Sequence, residues 1–196
     1  MNKSISVIVC TIDKDPLTVK SIPDYAEILI ADWKSNRKDI WAKSIARNMG
    51  AAKAKGEILV FMDGDISFSK EFFEKLVSIV DEETVAGLKC KWHNYLISRA
   101  MAIRKDTFIT VGGFCPIILA MEDIDFSYRL EKLGYNIKYF PTDSVYHKPH
   151  KGTDTRTIPQ HIRTQLCFAF KYPKYFKKLP RKFVEFFYHR IAKPRG

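Results

Sequence analysis

Unbroken apolar runs alternate along the first half of the chain with segments whose apolar positions recur every three or four residues. The two patterns predict strands joined by crossover helices. Ile5–Cys10, mostly β-branched, reads as a buried strand, and Glu27–Ala31 reads as a second. About fifteen residues containing Pro16 and Pro23 separate them, enough for a short helical crossover. Ile40–Lys55 predicts a helix with Ala42, Ile45, Met49 and Ala52 on its inner face and Gly56 as its stop. Glu57–Met62 is apolar from its second residue onward, as expected of a central strand covered on both sides. Ser69 is placed to cap a further helix, with Glu71 in its first turn and Phe72, Phe73, Leu76, Val77 and Val80 turned inward. Val85–Trp92 and Tyr95–Ile103 predict two more strands. Glu122–Leu133 predicts a helix ended by Gly134, and Asn136–Phe140 and Ser144–His147 predict two short strands.

This alternation predicts an α/β fold with a mixed, mainly parallel sheet flanked by helices. Ligands of such sheets bind outside the carboxyl ends of the strands, so polar residues at those ends carry the functional interest. With 196 residues, 46% of them apolar, the chain can form one compact domain and a short appendage, and global disorder is excluded. The boundary is expected near residue 158, leaving 159–196 as an extension. Charge sharpens that division. The chain carries a net +11. Much of the excess follows Gln160, where Arg163, Lys171, Lys174, Lys177, Lys178, Arg181, Lys182, Arg190, Lys193 and Arg195 face Glu185 as the only acid. No apolar run has the length of a bilayer-spanning helix. Ile5–Cys10 is too short for a signal-peptide core, and no small-residue cleavage site follows it, so a cytoplasmic location is expected. Cys10, Cys90, Cys115 and Cys167 have neither zinc-site nor redox-motif spacing. They read as buried or idle thiols, with a disulfide left open because intracellular ones occur in hyperthermophiles.

The chemistry concentrates after the third strand, at Asp63-Gly64-Asp65. Two carboxylates at the end of a buried strand are costly unless something uses them. A divalent cation does so: Mn²⁺ or Mg²⁺ takes a few carboxylate oxygens and fills its other positions with water and diphosphate oxygens. Gly64 lets the backbone turn tightly beside a ligand. The competing reading is an ordinary Asp-Gly turn.

In order and spacing, these segments resemble the family 2 glycosyltransferases with the GT-A fold, from Ser6 to about His150. Ser6-Val7-Ile8-Val9-Cys10-Thr11 resembles the opening strand of that family, and Ile30 to Ser35 its second strand with an Asp and a Ser after it. Ala46-Arg47-Asn48-Met49-Gly50, then Gly56-Glu57 and the strand leading to Asp63-Gly64-Asp65, match its helix, turn, strand and Asp-x-Asp motif. Val111-Gly112-Gly113-Phe114 and Glu122-Asp123 match two later landmarks. Trp33-Lys34 departs from the pattern, which usually has a second acid and a Gly there. The small size also resembles minimal archaeal and archaeal-virus members, which implies a host cytoplasm if the protein is viral.

The resemblance implies a role for each landmark. Thr11, Asp32, Arg47, Asp63 and Asp65 would bind the nucleotide-sugar, with Asp32 on the nucleobase and Arg47 on base or diphosphate. Arg47 as a solvated helix residue is the alternative. Asp63, Asp65 and His147 would hold the metal. Asp123 would be the general base that deprotonates the acceptor hydroxyl. Its position at a helix start favours the ionised form, and Glu122 and Asp125 oppose that. An acidic helix start with no catalytic task is the alternative for Asp123. Asp125 is expected to pair with Arg129 one turn on. Glu122 and Trp92, with His93 and Asn94 nearby, are placed on the acceptor side.

The implied reaction moves a sugar from a UDP- or GDP-sugar to a hydroxyl on a glycan, lipid-linked or protein acceptor, with inversion and with a metal. Two other classes stay open. A nucleotidyltransferase also uses strand-end carboxylates and a metal, but Thr11-Ile12-Asp13-Lys14-Asp15 is not the Gly-rich basic loop it needs. A non-catalytic basic module would leave Asp63, Asp65 and Asp123 without a purpose. The segment after Gln160 interleaves basic and aromatic residues, and Phe183, Phe186, Phe187 and Ile191 share one helical face. Such a helix lies at an anionic membrane surface or docks on a protein domain; a nucleic-acid partner is disfavoured because the domain resembles no nucleic-acid fold.

Overall fold

The structure is a computed structural model and describes residues 3–32, 42–90, 95–118, 121–149, 166–167 and 170–172. The chain divides into two compact units, Met1–Thr155 and Arg156–Gly196. Trp33, Trp92, His93, Asn94 and His150, and the basic helix expected from Arg181 to Ile191, lie outside the described residues.

The first unit is built on a six-stranded sheet in the order β2-β1-β3-β6-β5-β7. Its strands are β1 (Ile5–Thr11), β2 (Glu27–Asp32), β3 (Ile58–Asp63), β5 (Thr84–Lys89), β6 (Leu96–Arg104) and β7 (Asn136–Phe140). β6 is antiparallel to both its neighbours, β3 and β5, and the other three pairings are parallel. The helices are α1 (Ala42–Lys53), α2 (Lys70–Ser78), α3 (Lys105–Val111) and α4 (Glu122–Lys132). A two-stranded ribbon, β4 (Ile66–Ser67) with β8 (Tyr146–His147), stands beside the sheet.

Most predicted strands appear within a residue or two of their expected bounds. Ser69 caps α2 as expected, its hydroxyl accepting from the Phe72 amide at 3.2 Å. Phe72, Phe73 and Leu76 then pack under one side of the sheet with Val7, Val9, Val60 and Met62. The opposite side buries Ile8, Leu59, Phe61 and Ile103 against Phe108, Phe114 and Phe126. Phe61, Phe108, Phe114 and Phe126 form a ring cluster with neighbouring centroids between 4.9 and 5.7 Å. Each such side chain, taken fully out of water, contributes about 1.5–3 kcal/mol.

Three expectations are corrected. The inner face of α1 does not include Met49 and Ala52 as expected, because Met49 is 55% exposed and Ala52 is exposed too, while Ile45 is half-buried. Ala46, Arg47, Gly50, Ala51 and Ala54 face the sheet instead. The helix lies so close to β1 that a Cβ on Gly50 would sit 2.6 Å from Ile8, so small residues are required where bulk was expected. The crossover after β1 is one 3-10 turn, Leu17–Ser21. The strand expected over Ser144–His147 begins only at Tyr146, after a 3-10 turn at Thr142–Ser144, and it pairs with β4, outside the main sheet.

Candidate active site

β1, β2 and β3 run parallel and stop together. Thr11 pairs with Asp32, and Cys10 with both Ala31 and Asp63, so Thr11, Asp32 and Asp63 end their strands along one edge. Antiparallel β6 enters from that edge, which brings Ser98 and Arg99 to it. Glu122 and Asp123 begin α4 there.

Tight packing holds the Asp63-Gly64-Asp65 turn. The Gly64 amide donates to the Cys10 carbonyl at 3.0 Å. A Cβ on Gly64 would meet Thr11 Oγ1 at 2.5 Å, which only glycine avoids. Buried Thr18, on the 3-10 turn, donates its hydroxyl to the Asp63 and Ile66 carbonyls at 2.5 and 2.8 Å. Thr11 is itself buried, and its hydroxyl oxygen accepts from the Asp13 amide at 2.9 Å. Asp32 stands exposed at the end of β2.

Arg47 is the centre of the site and is 2% exposed. It donates to Asp63 Oδ1 at 2.8 Å and to Glu122 Oε1 at 3.2 Å, with the guanidinium carbon 5.4 Å from the centre of the Phe114 ring. It is therefore neither a solvated helix residue nor open to solvent, but a buried brace between β3 and the start of α4. Burial works against its charge, yet the field of Cys10, Asp63, Glu122 and Asp123 holds its pKa above the ordinary arginine value. Burial likewise pushes Asp63 upward, and Arg47, then Lys43 and Arg99, hold it below the usual carboxylate range. The Cys10 thiol beside them is pushed up by burial. All four cysteines are free thiols.

Each acid pair has a second member that Arg47 does not hold. Asp65 Oδ2 lies 3.3 Å from His147 Nε2. Pairing of Ile66 with His147 creates that contact, and the Lys148 amide donates to the Asp65 carbonyl at 2.9 Å. Asp123 accepts from the Ser98 amide at 3.1 Å and from the Ser98 hydroxyl at 2.8 Å. Its pKa is pushed up to about 6, first by burial and then by the charge of Glu122, against the opposing pull of Arg47 and Ser98. Asp125 pairs with Arg129 at 2.7 Å, as expected, and so is not among the groups that raise Asp123.

Arg129 and Asn48 shape the loop between α3 and α4. Gly112 and Gly113 adopt left-handed backbone, with φ of 82° and 63°. Arg129 donates to the carbonyls of Val111 and Gly113, and Asn48 exchanges hydrogen bonds with the Phe114 backbone at 2.8 and 2.9 Å. Phe114 is thereby fixed against Arg47.

The donor set for a metal is smaller than expected. Asp65 and His147 come together, whereas Asp63 turns one oxygen to Arg47. Among the described residues no group of three or more His, Cys, Asp or Glu is placed to hold a metal ion. Two bonds of about 2.1 Å set at right angles place their donor atoms about 3 Å apart. The 3.3 Å between Asp65 and His147 fits that spacing. One oxygen and one nitrogen donor would suit Mn²⁺ better than Mg²⁺. Ser98 and Arg99 were missed from sequence, although a Ser-Arg pair inside the apolar run Leu96–Ile103 is a readable signal of a strand end that serves a site.

Residues 34–143, more than half of the chain, match the family described as glycosyl transferase family 2. An uncharacterized glycosyltransferase of Haemophilus influenzae is 24% identical over 146 residues, covering 57% of this chain and 50% of that protein. The chain thus spans about half the length of this curated relative. Among solved structures, the mannosyltransferase PcManGT of Pyrobaculum calidifontis, in complex with GDP-Man and Mn²⁺, superposes with a TM-score of 0.61 at 17% identity, covering 78% of this chain and 59% of that one. The catalytic domain of Drosophila β1,4-galactosyltransferase 7, in complex with xylobiose, gives 0.62 at 14% identity over 84% and 80% of the two chains. At such identities the likeness is one of fold.

Proposed function

The chain belongs to glycosyl transferase family 2 and has the GT-A fold of its structural neighbours; from that premise we propose that it transfers a sugar from a UDP- or GDP-sugar to an acceptor hydroxyl with inversion. The observation that carries this reading is the Arg47 brace between Asp63 and Glu122, beside which Asp65 meets His147 and Asp123 meets Ser98 at one edge of the sheet. Asp65 and His147 would hold a divalent metal, Mn²⁺ by the chemistry of the pair and by its presence with GDP-Man in the Pyrobaculum enzyme. When bound, such an ion supplies neutralisation of charge on the leaving diphosphate. Asp123 accepts the proton of the acceptor hydroxyl as that oxygen attacks the anomeric carbon. A carboxyl with its pKa near 6 is ionised at neutral pH and basic enough for the task. Arg47 keeps Asp63 and Glu122 in place and keeps their charges from both falling on Asp123. Asp32, at the end of β2, is placed for the nucleobase.

Incubation with GDP- and UDP-sugars and Mn²⁺ tests the reading. Release of nucleoside diphosphate supports it. Release of pyrophosphate turns the assignment to a nucleotidyltransferase, and the absence of both binding and turnover removes it.

The segment after Gln160 is proposed to hold this enzyme against an anionic membrane, where lipid-linked acceptors reside. Its excess of basic residues supports the reading, each contributing about 1 kcal/mol near an anionic leaflet. No helix among the described residues is long and apolar enough to cross a membrane. Co-sedimentation with anionic vesicles at low salt, lost on truncation near Gln160, is the expected result; equal and negligible pelleting of both chains would remove the proposal.

A further inference from the structure

Arg99 has no role in the reading above, and its surroundings ask for one. The pairing of β5 with β6 slips between Gly87 and Leu88: Gly87 faces Met101, while Leu88 faces Ile97. Ser98, Arg99 and Ala100 fall in the irregular stretch between those pairs. Such bulges re-aim side chains at sheet edges and beside active sites. On the other side of β6, Met62 pairs with Ala100, so Arg99 stands one step further out, level with Asp63. Its charge helps to hold the Asp63 carboxyl low. Ser98, the preceding residue, holds Asp123. Arg99 is thus seated between the acid pair that begins α4 and the one that follows β3.

Its guanidinium is not consumed there. Among the described residues the Arg99 side chain makes no ion pair and no hydrogen bond, and its Nε is buried without a partner. Arg47, which is buried, and Arg129, which is half-buried like Arg99, each engage a carboxylate. Arg47 Nε is also buried without a partner, but the other nitrogens of Arg47 hold Asp63 and Glu122, whereas no carboxylate among the described residues is paired with Arg99. Such an open cation accommodates a partner that arrives with a ligand. The planar fork of arginine matches phosphate oxygens in pairs. In a site rich in carboxylates, a cation kept unpaired also offsets the repulsion that an incoming diphosphate meets.

We propose that Arg99 binds the diphosphate of the nucleotide-sugar donor, sharing it with the Asp65–His147 site. This inference rests on the glycosyltransferase reading. Arg99 acts as an anchor for the leaving group. It is equally a specificity residue, since it favours nucleotides carrying a diphosphate over nucleosides.

Binding of GDP, UDP, guanosine and uridine to the full chain, titrated calorimetrically with Mn²⁺ present, tests it. Arg99→Met is expected to weaken the preferred nucleoside diphosphate about 10- to 100-fold. Affinity for the matching nucleoside should stay within about twofold, because no phosphate is involved. Arg99→Lys should lose less, about three- to tenfold, since it keeps the charge without the fork. Where the Met variant does not fold, the Lys variant alone decides. Wild-type diphosphate affinity in a folded Met variant, or in the Lys variant if Met fails to fold, overturns the proposal. So does a lowered melting temperature with unchanged nucleotide binding, the mark of a mere counter-ion to Asp63. A wild-type chain that binds neither GDP nor UDP overturns both the proposal and the glycosyltransferase reading. Wild-type binding with unaffected variants overturns only the role of Arg99.

Discussion

Two acid pairs meet at the edge of the sheet and are treated differently. In the turn after β3, Asp63 goes to Arg47 and Asp65 goes to His147. At the start of α4, Glu122 goes to Arg47 and Asp123 goes to Ser98. Each pair gives one carboxylate to the same buried cation and leaves the other outside its hydrogen-bonding reach, and those two are the carboxylates proposed to do the chemistry. The second partners set the difference. Asp65 faces an imidazole, which could share a metal ion with it. Asp123 faces a hydroxyl and an amide, which orient it while burial raises its basicity. Local charge alone does not assign the roles, since Asp63 and Glu122 are as acidic in sequence as the residues beside them. The buried cation decides which member of each pair it holds and which it leaves to other partners.

The sharpest way to break the comparison is at Asp123. Asp123→Asn is expected to lower transfer by about 10²- to 10⁴-fold while donor affinity changes little, as measured by steady-state kinetics and by nucleotide titration. Transfer within a few-fold of wild type would return Asp123 to a structural helix start. The same variant should be more stable at pH 7. The folded pKa of Asp123 lies near 6, above the unfolded value, so the folded state binds the extra proton between about pH 4 and 6. Stability from this group is therefore present below pH 4, falls as pH rises through 6, and stays lost above it. Removing the charge should recover about 1–3 kcal/mol at neutral pH, measured by chemical denaturation.

Next is Asp65. Asp65→Ala should reduce Mn²⁺-dependent turnover by about a thousandfold and leave the fold intact, because no buried cation depends on it. Turnover that survives both this change and excess chelator would remove the metal from the reaction. Arg47→Met breaks the comparison from its middle. It strands Asp63 and Glu122 without their shared cation and should cost about 3–5 kcal/mol of stability, read from denaturant midpoints. A loss below about 1 kcal/mol would mean that the two acids pair elsewhere.

The smallest effect sharpens the contrast. Transfer should fall as pH drops through about 6, where Asp123 takes up a proton. Ser98→Ala removes a hydrogen bond that favours the ionised form. The acidic limb of the rate profile should then move up by less than about one pH unit, with little change at its plateau. An unmoved limb would place the titrating group elsewhere.

Sequence exposed the anchors of this site and hid its wiring. The apolar run ending at Asp63 and the acidic start of α4 were legible because strand burial and helix initiation are local properties. The role of Arg47 was not, since one guanidinium that joins residues 63 and 122 depends on long-range packing. The inner face of α1 was misjudged for a related reason. Apolar bulk marks a buried face only where neighbouring elements leave room, and Gly50 against Ile8 leaves none. α3, only seven residues long, carries too little periodicity to separate from the strand before it. Of the two-stranded ribbon, the β8 half lay within the expected strand Ser144–His147, whereas β4, two residues long, is below what any pattern reveals.

That ribbon also sets an order of events. Ile66 and His147 stand about eighty residues apart in the chain, so the contact between Asp65 and His147 closes one of the longest loops in the domain. A nascent chain that has emerged only as far as β7 already contains every strand of the main sheet but not the imidazole. If the two side chains hold a metal as proposed, its capture would be a late event in synthesis and folding, and Mn²⁺ affinity would serve as a clock for when the domain has finished assembling.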